Sequence, residues 1–183
     1  ALGRGRIHVS PAPAPTAAPV AAPEAIPHAV DSTLTLEAIM DAIEHTTVVF
    51  QPIVTADDAA VVGVEALARG PAGTRFEQPA WFFAAAETFS RLAELDLAAK
   101  HAAFRSGIPD SLTLFVNVDP TVLTDDGCRA ALLDSWSTSD FGGTVVVELT
   151  ERSLVTSPGR LLRAIDSCRE AGWLIALDDV GAR

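Results

Sequence analysis

From residue 32 onward the chain alternates between two hydrophobic periods. Leu36, Ile39, Met40 and Ile43 recur at helical spacing, with Ser32 or Thr33 placed to cap the helix. Residues 48–54 form a β-rich run and residues 61–67 a second one. Between them, residues 55–60 carry Asp57 and Asp58, so the pair predicts an antiparallel hairpin. Pro71 and Gly73 mark a loop, and Pro79 suits a first helical position. Residues 81–104 predict a long helical stretch broken near 88–91, and residues 112–118 a strand ending at Asn117. A helix over 123–136 follows, and then a strand over 144–149 after Gly142 and Gly143. Leu161, Leu162, Ile165 and Cys168 fall on one face of a helix that stops at Gly172, and residues 173–177 read as a last strand running into Asp178 and Asp179. Near-continuous apolar strands joined by helices predict an α/β fold with a parallel sheet covered on both faces, opened by the hairpin.

Residues 11–30 break this pattern. Pro11, Pro13, Pro15, Pro19, Pro23 and Pro27 are interleaved mostly with alanine. Such a segment has nothing to bury and is expected to be an extended, semi-rigid linker. A spacer implies something before it, so residues 1–10 are expected to be the end of a preceding domain.

Composition narrows the function. Apolar residues make up 49% of the 183 residues, enough for a globular core, and 24 acidic against 13 basic residues give a formal charge of −11. That balance argues against a DNA or RNA polymer as partner, which calls for a basic footprint, and suits a site that gathers divalent cations. No apolar run approaches the roughly 20 residues of a membrane span, so this segment is expected to make no membrane contact. Cys128 and Cys168 are the only cysteines; two thiols in a chain of this size fit buried free cysteines in a reducing cytoplasm.

The candidate chemistry lies in where the polar residues stand. Glu65, Asn117, Glu148 and the pair Asp178 and Asp179 each terminate a β-run. One acidic residue at a strand end is usually a helix cap or a solvated loop residue. Recurrence at the same end of successive strands is different, because in a β/α barrel such groups converge on one mouth. Carboxylates with an amide oxygen make a hard-cation site suited to Mg²⁺ or Mn²⁺. Histidine and cysteine are too sparse at ligand spacing for zinc.

Five motifs in order resemble the EAL domains, the cyclic di-GMP phosphodiesterases of bacterial signalling. They are Phe50-Gln51-Pro52-Ile53-Val54, Gly63-Val64-Glu65-Ala66-Leu67-Ala68-Arg69, Phe115-Val116-Asn117-Val118-Asp119-Pro120, Val147-Glu148-Leu149-Thr150-Glu151 and Ala176-Leu177-Asp178-Asp179-Val180-Gly181. The segment Leu2-Gly3-Arg4-Gly5-Arg6-Ile7-His8-Val9 resembles the last strand of a GGDEF domain, which often precedes an EAL domain. The resemblance implies a TIM-like β/α barrel over residues 31–183. Because a whole barrel needs about 250 residues, the chain is expected to carry the N-terminal half of the domain, truncated at its C-terminal side.

The resemblance also implies roles. Glu65, Asn117, Glu148 and Asp178 would ligate a catalytic Mg²⁺ or Mn²⁺, and Asp179 would help hold a second ion. Glu65, Glu151 and Asp179 would serve catalysis, Glu151 by bracing the loop after its strand. Gln51, Leu67 and Arg69 would contact cyclic di-GMP, with Arg69 near a phosphate. The implied activity is hydrolysis to linear pGpG in the full-length protein, by a domain that can form a homodimer. The alternative is a degenerate EAL module that binds cyclic di-GMP or a protein partner without catalysis. Val180 stands where the family usually has Phe, and Ala182-Arg183 where it has Thr-Gly.

Overall fold

A computed structural model describes residues 34–150 and 158–178. The expected domain end (1–10), the linker (11–30), the proposed caps Ser32 and Thr33, and the site candidates Glu151 and Asp179 lie outside these residues.

Helix α1 (Leu36–Glu44) is capped by Thr35, not by the residues the sequence suggested. The Thr35 Oγ1 accepts the Ala38 N–H at 3.2 Å, satisfying a first-turn donor. Its buried residues are Ile39, Ala42 and Ile43, while Leu36 and Met40 are exposed. The hairpin forms as expected from β1 (Thr47–Val54) and β2 (Val61–Arg69), paired antiparallel with Gln51 opposite Glu65. Two helices, α2 (Pro79–Thr88) and α3 (Leu92–Phe104), occupy the long helical stretch with the break where the sequence placed it.

β3 (Thr113–Asn117) is followed by two helices where the sequence suggested one. These are α4 (Pro120–Thr124) and α5 (Asp126–Ser137), and each starts on an aspartate. Asp119 Oδ1 accepts the Thr121 N–H and Asp125 Oδ1 the Cys128 N–H, both at 2.8 Å. The second cap forces extended backbone at Asp125 and so divides the segment. β4 (Val145–Thr150), α6 (Pro158–Glu170) and β5 (Leu174–Asp178) complete the described elements. The turn after α6 passes through Gly172, whose φ of 91° glycine adopts without strain. Leu162, expected on the buried face of α6, is 60% exposed; Ala164 packs inward with Leu161, Ile165 and Cys168 instead.

The five strands form one sheet in the order β1-β2-β3-β4-β5, parallel from β2 to β5. Strand side chains alternate between faces. Leu114, Val116, Val145, Val147 and Leu149 join Phe104, Leu132, Leu161, Cys168 and Trp173 in the main core, between sheet and helices. A second cluster joins α1, the short turn Arg75–Glu77, α2 and the start of α3 through Ile39, Ile43, Phe76, Phe82 and Leu95. The opposite face of the sheet bears Glu65, Phe115, Asn117 and Glu148, so the core fixes which face the polar strand ends occupy. Both cysteines are free, and burial pushes both thiols up.

Candidate active site

Parallel pairing brings the polar strand ends together. Asn117 on β3 sits in register with Glu148 on β4, and Asp178 closes β5 in register with Thr150, two residues beyond Glu148. Glu65 does not end its strand as the sequence suggested, because β2 continues to Arg69 in its pairing with β1; it is reached from the side, where the Asn117 amide Nδ2 donates to Glu65 Oε1 at 2.7 Å. That bond fixes the amide orientation and keeps Asn117 Oδ1 as an acceptor. Gly63 permits the approach of β2 to β3. A Cβ at this position would lie 2.7 Å from the Thr113 carbonyl oxygen and 2.9 Å from the Phe115 ring.

The Glu148 carboxyl is pushed up to about 7, first by burial, then by the negative charges of Glu65 and Asp178. Three carboxyl groups on three strands therefore share one electrostatic environment. Among the described residues no three Asp, Glu, His or Cys side chains already close around one point that a cation could occupy. The donor set nonetheless fits a hard divalent ion: hard oxygen donors, an amide oxygen, and mutual carboxylate repulsion that a cation would relieve.

Leu67, Arg69, Asn117 and Glu148 line a cavity of about 290 Å³ whose wall is otherwise largely apolar. Arg69, at the end of β2, donates from one guanidinium nitrogen to the Ala68 carbonyl at 2.8 Å and also borders an adjoining groove with Gln78 and Trp81. Gln51 is exposed and relates to the site through its pairing with Glu65. The structure thus brings Glu65, Asn117, Glu148 and Asp178 together, sets Leu67 and Arg69 beside them, and leaves Gln51 at the flank.

Sequence reasoning missed Asp96 and Lys100 on α3, which line the same cavity and are only 2% and 6% exposed. Opposite charges four apart on a helix ordinarily signal a solvated surface pair. The available hint was the apolar run around them, from Leu92 to Phe104.

The family model of the EAL domain matches residues 36–183. No curated protein sequence matches the chain. Among solved structures, the PaMucR phosphodiesterase in complex with c-di-GMP shares 20% identity at a TM-score of 0.68, with 80% of this chain and 64% of that one covered. The FimX EAL domain from Pseudomonas aeruginosa, bound to c-di-GMP, is 19% identical at a TM-score of 0.68, with coverage of 80% and 63%. Klebsiella pneumoniae BlrP1, in its calcium and cyclic di-GMP complex, is 27% identical at a TM-score of 0.64, with coverage of 76% and 36%. The chain spans less than two thirds of the length of each of these structures.

Proposed function

The chain belongs to the EAL domain family, and from that premise we propose that it provides the catalytic face of a metal-dependent phosphodiesterase that hydrolyses cyclic di-GMP to linear pGpG. One observation carries the reading: four oxygen-bearing side chains come from four adjacent parallel strands, Asn117, Glu148 and Asp178 at or near the C-terminal ends of β3, β4 and β5, and Glu65 from the middle of β2, where the Asn117 amide reaches it. The C-terminal edge is where β/α folds place their chemistry. The c-di-GMP complexes of the structural neighbours, including one of BlrP1 with manganese, support the ligand and the cation class.

In this reading Glu65, Asn117, Glu148 and Asp178 hold Mg²⁺ or Mn²⁺, and Asp179 helps hold a second ion. Bound there, divalent ions supply charge neutralisation at the phosphodiester and an acidified water as nucleophile. Asn117 and Glu65 orient each other through their hydrogen bond. Burial and the nearby carboxylates push the Glu148 carboxyl up to about 7, and it would have to give up its proton to hold a cation. Arg69 offers a forked guanidinium to a phosphate oxygen, Gln51 and Leu67 hold the dinucleotide, and Glu151 braces the loop after β4.

The test is hydrolysis of cyclic di-GMP by the full-length protein at limiting Mg²⁺ or Mn²⁺. Alanine at Glu65, Asn117, Glu148 or Asp178 is expected to lower turnover about 100-fold or more, the scale of losing one group that stabilises transition-state charge. Paired substitutions should cost little beyond single ones, since an emptied site has little left to lose. Wild-type turnover by Glu148→Ala overturns the assignment. A wild type that binds cyclic di-GMP and cleaves none with either ion replaces it with a binding module.

A further inference from the structure

The buried pair on α3 has a third partner. Asp96 pairs with Lys100 through one carboxylate oxygen, and its other oxygen, Oδ2, accepts the backbone N–H of Asp119 at 3.4 Å. Asp119 lies two residues beyond Asn117. The β3–β4 ladder ends one residue earlier, where the Val118 N–H donates to the Glu148 carbonyl at 3.3 Å. The next N–H of the chain, that of Asp119, is turned to Asp96 on the helix. The backbone carrying Asn117 is thus held on one side by β4 and on the other by α3.

Stability gives no strong reason for this pair. Desolvating two charges costs several kcal/mol, and well-packed apolar residues often replace a buried pair without loss. Its position gives a reason: it lines the same cavity as Asn117 and Glu148. Burial favours the neutral acid at Asp96, and the Lys100 ammonium opposes that.

We propose that Asp96, paired with Lys100, is a positioning residue that holds the end of β3 so that Asn117 stays aligned with Glu65 and Glu148 for cation binding. The proposal rests on the metal-site reading above and adds to it residues from a helix that contributes no ligand. Partners of this kind, one shell removed from a metal, are worth about 10- to 100-fold in affinity.

The test compares two double variants of the full-length protein. Asp96→Leu/Lys100→Met removes both the charge and the acceptor; Asp96→Asn/Lys100→Met removes the charge and keeps an acceptor. Mn²⁺ affinity is read by titration calorimetry and Asp119 amide exchange by NMR, both without substrate. The Leu/Met variant is expected to bind Mn²⁺ about 10-fold or more weakly and to exchange Asp119 faster, with the Asn/Met variant restored on both counts. Equal affinity in the Leu/Met variant and the wild type overturns the proposal, as does equal weakness in the two variants.

Should the Leu/Met variant fail to fold, Asp119→Pro against Asp119→Ala asks the same question. Asp119 has φ −64° and ψ 133°, which proline adopts, so beyond the shared loss of the capping carboxylate the two differ chiefly in the N–H. Weaker Mn²⁺ binding by the proline variant supports the proposal, and equal binding overturns it. A wild type that binds Mn²⁺ yet hydrolyses no cyclic di-GMP overturns the phosphodiesterase reading alone. A wild type that binds no Mn²⁺ overturns both.

Discussion

Burial, and then the charges of Glu65 and Asp178, push the Glu148 carboxyl up to about 7 in the folded chain, from about 4.5 in solvent. Between those values the folded state binds a proton that the unfolded state has released, so stability falls as pH rises from about 4.5 to about 7. The ion-free protein is therefore expected to melt at higher temperature near pH 5 than near pH 7.5, with Glu148→Gln flattening that slope and raising the melting temperature at the upper end. Added Mn²⁺ should flatten it as well, because a cation replaces the proton. Calorimetric scans across this range check all three, and a slope unchanged in Glu148→Gln would place its origin elsewhere. The placement of Asn117, Glu148 and Asp178 toward strand ends was legible in the sequence, because apolar patterning reveals where a strand stops; Glu65 was read as a strand end and stands in the middle of β2. Asp96 and Lys100 were not legible. Their spacing is that of an ordinary surface pair, and only packing against the sheet shows both to be buried.

The elements were read with similar unevenness. The β-runs were legible because they are long apolar stretches bounded by turn residues. The misplaced cap of α1 and the division into α4 and α5 share one cause: several Ser, Thr or Asp residues stand near each helix start, and local backbone geometry selects among them. Leu162 misled because periodicity marks an apolar face without saying how much of it the sheet can cover. The β2–β3 pairing depends on a feature that patterning misses, the absence of a side chain at Gly63. Gly63→Ala is expected to destabilise the fold by about 1–3 kcal/mol, as overpacking does, because the blocking group is backbone and cannot turn aside. Denaturant titration checks this; an unchanged midpoint would mean that β2 can shift without cost. Since the same shift would move Glu65 relative to Asn117, Mn²⁺ affinity should fall along with stability.

Across the whole molecule, the sheet shows apolar surface at β5, where Leu174 is 55% and Leu177 52% exposed. β5 stands at one end of the strand order, and no strand pairs with its outer edge among the described residues. An apolar strand with an open edge is a template for association. The 183-residue chain by itself is expected to self-associate in sedimentation experiments. Because like charges repel, association should strengthen with added salt, which screens the formal charge of −11. Leu174→Lys/Leu177→Lys should weaken it, and a sharply melting monomer at all concentrations would refute it.

The strand order has a further consequence, for biosynthesis. Among the described strands, each after β1 pairs with the one made immediately before it, and the single antiparallel pair is a hairpin. No described strand waits for a distant partner to be translated. The sheet can grow one β-unit at a time as the chain leaves the ribosome, each parallel strand docking on an edge already formed once the helical crossover before it has been made.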